Sequence, residues 1–580
     1  MPRSLSAFSS LDALRGEAKR WLKAIAAGDS EALNRFRRVF PDHSGVPKLR
    51  QIQQALAREY GVSSWVALKQ EIEDRARSVA DRVHLFLEKS VNRYSTDPAT
   101  QKWGDYERDG SERGVIAARL LERHPEIVRD SIHTAVAAHD VDAVRTILRK
   151  NPSAIHDRSV VDGWTPLVRL AYARLPIDAV SSNALEIATI LLDAGADPNA
   201  GWSDGANAFT VLVGVIGGGE GQQAAHPLAE AFVRLLIARG ADPFAPQALY
   251  NTSLGPDSTF WLDLLWSESK KRGETHKWTG PSPNELGGER ISSALAYLLG
   301  NAVPDHIQRT RWLLEHGADA RGINFYSREP VIKHAVLAGR EDVAELLVRH
   351  GATRPQLTED EDFLAATVAG NFARMRELVL THPEFLQNHE PMFAVIRLHR
   401  ADIAEALLDL GMSADVGDDK NFRALHFTTH CGAVEIAQLL IARGAEIDPF
   451  ELRYGGTPLT HAIYHQRSDM MKLLSPHSRN FRGLCSAGAV DRLRQLLTEE
   501  PDRANREDRS GEPALFCLPG EDERAVEISE LLLSFGADPT FRNPLGQTPA
   551  EVARRRGLDD TAALLEDAAK QGPANPQSVK

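Results

Sequence analysis

The sequence predicts an all-α solenoid of roughly 11–12 stacked helix-turn-helix units behind an N-terminal helical domain. Three observations predict it. First, an apolar phrase ending at a glycine keeps returning. Leu191–Ala200 reads LLDAGADPNA, Leu235–Pro243 LLIARGADP, Leu313–Ala320 LLEHGADA, Leu439–Ile447 LLIARGAEI and Leu531–Pro539 LLLSFGADP, with looser copies at Leu346–Ala352 and Leu407–Asp415. Second, the phrase has a period: Gly317 to Gly351 is 34 residues and Gly411 to Gly444 is 33. Third, another phrase stands upstream of it: TPL at Thr165–Leu167, PVIKHA at Pro330–Ala335, ALH at Ala424–His426, TPLTHA at Thr457–Ala462 and TPAEVA at Thr548–Ala553. Repetition at this period means one small unit copied many times.

Each element of the unit has a physical cause. Threonine suits a helix N-cap and proline its first turn. A polar corner and a second helix follow, as in Ala433–Ala442 (AVEIAQLLIA). The paired leucines form its buried stripe. Glycine then ends the helix, because it accepts the left-handed conformation without a steric penalty. The structural glycines are therefore Gly195, Gly240, Gly317, Gly351, Gly444 and Gly536. Where the glycine is missing, proline stops the helix by removing a donor and driving the preceding residue out of the helical region. His124-Pro125, Asn151-Pro152, His382-Pro383, Ser475-Pro476 and Glu500-Pro501 read this way.

These phrases resemble the ankyrin repeat, most clearly in Arg423–Asp448, RALHFTTHCGAVEIAQLLIARGAEID. The resemblance spans residues 111 to 567, and the order of units is similar to that of bacterial ankyrin proteins with a helical front domain. It implies that His426 bonds across the turns. It also implies that the residue about two before each corner glycine faces a concave groove: Leu337, Val368, Arg397, His430 and Tyr464 in successive units. Arg397, His430, Tyr464 and His465 are accordingly the candidate partner-binding residues, since arginine and tyrosine are favoured interface anchors.

The expected organisation is an N-terminal helical domain over 1–75, a helix and connector over 76–110, the array over 111–569 and a disordered tail over 570–580. In the front domain, helices are expected at Leu11–Ala27, Ser30–Phe40 (with a serine cap), Lys48–Tyr60 and Ser63–Ile72, and a further one at Val79–Val91. Two stretches break the period. Gly217–Gly221 reads as a floppy corner, because no lysine follows in phosphate-loop spacing. Residues 244–289 read as an insertion whose aromatic stripe (Phe260, Trp261, Leu264, Leu265, Trp266) packs on the array. Residues 546–569 read as a C-terminal cap, with Leu558, Ala562 and Leu565 turned inward and a polar outer face.

Composition narrows the function. A single core saturates near ~250–300 residues, a limit that stacked units avoid. Aromatics are 7%, which fits thin two-helix layers, and the formal charge of −12 argues against a general nucleic-acid binder. Cys431, Cys485 and Cys517 are widely spaced, as expected of buried free thiols in a reducing compartment. No apolar run is long enough for a membrane span or signal peptide, so a cytoplasmic monomer is expected.

Motifs for hydrolysis or nucleotide binding are absent from the sequence. His426 and His430, and again His461 and His465, are four apart on one helix, but two ligands fall short of the three or four that zinc takes. The two pairs are offset by one residue in their units and are not expected to stack. Acidic clusters at Glu359–Asp362 and Glu521–Arg524 read as solvated corners and helix starts. The expectation is a non-catalytic scaffold for another protein, with no cofactor or metal; the alternative is an enzyme or ligand-binding protein with its site in 244–289 or the front domain.

Overall fold

The computed structural model describes residues 3, 10–41, 43, 45, 47–62, 64–65, 68–69, 72, 77–94, 112–220, 223–507 and 511–571. Most of the expected connector, Gly221 and the tail from 572 onward lie outside them, as does part of the expected Ser63–Ile72 helix. The chain folds as two compact units, residues 1–335 with 340–355, and residues 336–339 with 356–580. Both are helical and built from antiparallel helix pairs: all-α repeat architecture.

The first unit opens with a small helical core. Leu11–Ala26, Ser30–Arg37 and Leu49–Glu59 enclose Leu14, Trp21, Phe36, Ile52, Leu56 and Trp65. The second of these helices is capped by Asp29, not by serine: its carboxylate accepts from the Glu31 and Ala32 amides at 2.9 and 3.1 Å. A carboxylate at this position also answers the helix dipole.

The repeats follow. The first helices of successive pairs (Ile132–Ala137, Pro166–Tyr172, Val211–Ile216, Pro246–Ser253, Ala294–Ala302) stack in order, each followed by a partner helix that is longer in the first four pairs and equal in the fifth. Residues 79–94, read with the connector, are packed into this stack. Val79–Lys89 lies against Ile132–Ala137, Asn92 donates to the Tyr172 carbonyl at 2.8 Å, and Arg169 reaches back to the Leu87 carbonyl at 2.9 Å.

The stretch 244–289 carries a helix pair of its own. Pro246–Ser253 stacks between Val211–Ile216 and Ala294–Ala302, and Phe260–Lys271 is its second helix. Leu262, Leu264 and Leu265 are buried there, and Trp278 is fully enclosed with its Nε1 donating to Ser269 Oγ at 3.0 Å. Repeat phrasing failed because this helix ends at Arg272-Gly273 with no leucine pair ahead of the glycine.

The glycine run is not floppy. Gly217 and Gly219 are buried, Gly219 donates to the Asn251 carbonyl at 3.2 Å, and Gly218 pairs with Gln223. Asn251 Nδ2 returns a bond to the Gly217 carbonyl at 3.3 Å. A Cβ on Gly217 would sit 2.6 Å from the Gln223 carbonyl, so close approach and a φ of +72° both require glycine. A short hairpin, Gly201–Ser203 against Ala208–Thr210, precedes this region; three-residue strands carry too little periodicity to read from sequence.

In the second unit the first helices Glu359–Val368, Glu390–Arg397, Ala424–Cys431, Pro458–Tyr464 and Phe481–Ala487 stack in turn. One core runs through them, including Phe363, Met392, Ile403, Leu440, Leu459, Leu497 and Leu532. Each such side chain contributes about 1.5–3 kcal/mol by leaving water. Helix ends come in two kinds. The six phrase glycines have φ between 83° and 103°. Before four of the five prolines read as stops, His124, Asn151, His382 and Glu500 share an extended φ of −131° to −139°, and a short 3-10 turn follows each; at Ser475-Pro476 the expected departure is missing, since Ser475 keeps helical angles of φ −55° and ψ −41°. At the far end Pro549–Arg555 and Asp559–Gln571 bury Leu558, Ala562 and Leu565.

Candidate interaction surface

The second unit holds the clearest cluster of polar and aromatic side chains, at the ends of three successive first helices. His426 lies in the first turn of Ala424–Cys431 and is fully buried. Its Nδ1 accepts from the Arg423 amide at 3.1 Å and its Nε2 donates to the Pro449 carbonyl at 3.1 Å. Both nitrogens are occupied and the ring is neutral: burial, with the neighbouring His461, pushes its pKa down to about 4. The bond across the turns expected of this residue is present.

His461, one unit on, pairs with Glu451 instead, Nε2 to Oε1 at 3.1 Å. Glu451 is wholly enclosed, and it also accepts from the amides of Tyr454 at 2.9 Å and Gly456 at 3.0 Å. Burial would raise this carboxyl, but these donors hold it below the usual range. Sequence reading missed Glu451; its only signal is an acid six residues ahead of the TPL phrase, in a turn whose amides need an acceptor.

The two histidine pairs do stack, contrary to the offset read from the sequence. The rings of His426 and His461 are 5.4 Å apart and those of His430 and His465 4.7 Å, both edge-on. The offset is real, since His426 is the third residue of its helix and His461 the fourth. Rings meeting at right angles span a one-residue offset that smaller side chains would leave open. His430 Nδ1 and His465 Nε2 are 3.2 Å apart, one donating to the other. Among the described residues no third ligand joins them to hold a metal ion.

From this pair an exposed strip extends. The Arg397 guanidinium lies over the Phe427 ring at 5.7 Å, Phe427 stacks parallel to His430 at 6.1 Å, and Tyr464, 71% exposed, abuts His465 at 5.2 Å. Arg467 closes the other side, donating weakly to the His430 carbonyl at 3.4 Å. Arg397, His430, Tyr464 and His465 are therefore one contiguous patch. The other two positions on the expected line differ: Val368 is buried, with Gly339 packed against it, and Leu337 is half-buried.

Other expected sites fall elsewhere. Cys485 and Cys517 are buried but Cys431 is only half-buried. Glu359–Asp362 starts a helix, with Glu361 accepting from the Thr358 amide at 3.1 Å. Glu521–Arg524 likewise starts a helix, Asp522–Ser534, with Glu521, Glu523 and Arg524 exposed; Asp522 has a further part, its carboxylate accepting from the Asp560 and Thr561 amides, both at 3.0 Å, to cap the last helix. In the first unit, Arg169 forms a fully buried ion pair with Asp162 and also donates to Ser159 Oγ at 3.1 Å. Among the described residues no helix is long and apolar enough to cross a membrane.

Comparison with known proteins agrees with this geometry. The family model "Ankyrin repeats (3 copies)" matches residues 392–483, the stretch that carries the patch. The B-cell lymphoma 3 protein homolog of Mus musculus is 29% identical over 160 residues, 27% of this chain and 30% of that protein. YahD, named an ankyrin repeat protein, of Escherichia coli is 25% identical over 177 residues, 28% of this chain and 88% of that one. A solved ankyrin repeat domain from Acinetobacter baumannii covers 31% of this chain and 99% of its own at 19% identity, with a TM-score of 0.25. The chain spans less than a third of the mouse relative's length. With its helix pairs, cross-turn histidine and matched repeats, the chain carries ankyrin repeats.

Proposed function

We propose that this chain is a non-catalytic scaffold that binds another protein on the groove side of its ankyrin stack, the part we assign being the patch of Arg397, His430, Tyr464 and His465. The observation that carries this reading is a continuous run at the helix ends, exposed Arg397 joined through Phe427 to exposed His430, which meets half-buried His465 beside exposed Tyr464. Exposed aromatic and arginine side chains on a rigid support lose little freedom on binding and are common anchors. Residues 1–75 serve in this reading as a helical cap on the array, and 546–569 as its far cap. An enzymatic role for 244–289 is disfavoured, because its helices are spent on stacking and its largest aromatic is buried.

The test is affinity purification from the native cell with mass spectrometry, using the full chain and a variant with all four residues changed to alanine. The variant is expected to melt like the parent and to lose a specific protein that the parent retains. Identical capture profiles would remove the patch from the interface.

A further inference from the structure

We infer that this patch takes an acidic segment of its protein partner, whose carboxylates pair with Arg397 and Arg467 while aromatic contacts form over Tyr464. The inference rests on the scaffold reading above and names the chemistry of the partner.

Three observations carry it. The first is unspent positive charge. Among the described residues neither Arg397 nor Arg467 forms an ion pair, and both are exposed. Four other arginines of this unit are engaged, Arg400 with Asp402 at 2.7 Å, Arg443 with Asp409 at 2.8 Å, Arg374 with Asp362 at 2.7 Å and Arg423 with Glu446 at 2.8 Å, whereas Arg376 and Arg494, like Arg397 and Arg467, are exposed without an ion pair among the described residues. The second is that the groups between the arginines have cationic or ionisable basic neighbours and no acidic one. Beyond burial, His430 is influenced by His461 and Arg467, His465 by His430, His461 and Arg467, and Cys431 by Arg397 and Arg467. The third is the mixture of cation and exposed ring: Tyr464 is 71% exposed, and nearby Tyr454, on the turn before its helix, 74%.

A bland explanation covers part of this. Cations at helix C-termini are favoured by the dipole, and Arg397 and His430 stand there. The dipole explains neither the exposed tyrosines nor Arg467, which precedes a helix and stands at its unfavourable end for a cation. A nucleic acid would need a longer basic stripe, and the chain's charge of −12 opposes a polyanion. A short acidic peptide segment meets the two arginines without meeting that repulsion along its length.

The experiment uses the full chain and three fluorescent peptides of one length and tyrosine content, built on Glu, Gln or Lys, with a single-stranded oligonucleotide as the fourth ligand. The Glu peptide is expected to bind at least about tenfold more tightly than the Gln and Lys peptides, and salt should weaken it. The variant R397A/R467A should lose that preference, and R397E/R467E should turn it toward the Lys peptide, both with unchanged melting. Equal or undetectable binding of the Glu peptide, or a preference that survives both variants, overturns the inference, as does an oligonucleotide that binds as tightly. If the four-alanine variant still loses its partner from the lysate while the peptides show no charge preference, the acidic-segment inference falls and the scaffold reading stands. If that variant captures the same proteins as the parent, the scaffold assignment of this patch falls first.

Discussion

The two units use histidine in opposite ways. In the first, His133, His139 and His226 are enclosed in the stack, and each has at least one ring nitrogen without a hydrogen-bond partner. In the second, His426 and His461 are enclosed with partners, while His430 and His465, one helical turn further on, lie at the surface. The side chain is the same and the helices are equivalent; what differs is position along a short helix and what the next unit places opposite. These three histidines of the first unit are core that resists protonation. The second unit's divide into a structural pair and a surface pair.

Acidification should separate the units most strongly. Burial pushes the imidazoles of His133 and His139 down to about 4 and that of His226 to about 3. A folded pKa below the unfolded value means that the unfolded chain binds more protons in the interval. Stability is then fully present above about pH 6.5 and is lost as pH falls from there toward 4. Each histidine contributes at most about 1.4 kcal/mol per pH unit in that window. The second unit has one imidazole held as low, His426 at about 4; amide exchange at pH 7 and pH 5 should show Ile132–Ala137 and Ala229–Ala238 losing more protection than Val490–Glu499, away from it. Equal losses would break the contrast.

Arg169→Ala should cost the first unit about 3–5 kcal/mol, because Asp162 is left buried and unpaired. Exchange across Pro166–Tyr172 would report it. Within the second unit, His426→Ala should cost about 2–3 kcal/mol by stranding the Arg423 amide and the Pro449 carbonyl, while His430→Ala stays within about 0.5 kcal/mol. Chemical denaturation of the two variants side by side measures this, and similar midpoints would erase the division between structural and surface histidine. Gly444→Val should cost about 1–2 kcal/mol, since its φ of +86° is strained for a branched residue although nothing stands within 4 Å of a Cβ. An unmoved melting curve would contradict the repeat register.

The smallest effect concerns the surface pair. A bound carboxylate favours the imidazolium of His430 or His465, which burial and then the basic groups His461 and Arg467 hold down in the free chain. Arg397, Cys431 and Tyr464 complete the surroundings, and none is an acid that would mask the effect near neutrality. Affinity for a Glu peptide should therefore rise about two- to fivefold from pH 7.5 to 5.5, and His430→Gln with His465→Gln should flatten the curve. Fluorescence anisotropy across pH decides it.

Much of this was readable in the chain. Paired leucines before glycine, and proline where glycine is absent, mark helix ends because backbone conformation is a local property: Gly444 needs no neighbour to explain its positive φ. The cross-turn role of His426 was readable for the same reason, since its acceptor, Pro449, lies within the same unit. What escaped reading depends on what one unit sets against another. The helix pair within 244–289 lacks the phrase and is recognised only by where it stacks. The glycine run at 217–219 is ordered by Asn251, and Arg169 reaches across the stack to Leu87; Glu451 escaped for another reason, since its enclosure by its own turn and His461 leaves no repeated phrase to read. Sequence by itself determined the unit, its punctuation and the helix ends that carry the patch, because these follow from local propensity and periodicity. Only tertiary structure decided that Val368 is buried, that His430 touches His465 and that Arg397 and Arg467 are left without acids, because contact and desolvation depend on which residues neighbouring units set opposite one another.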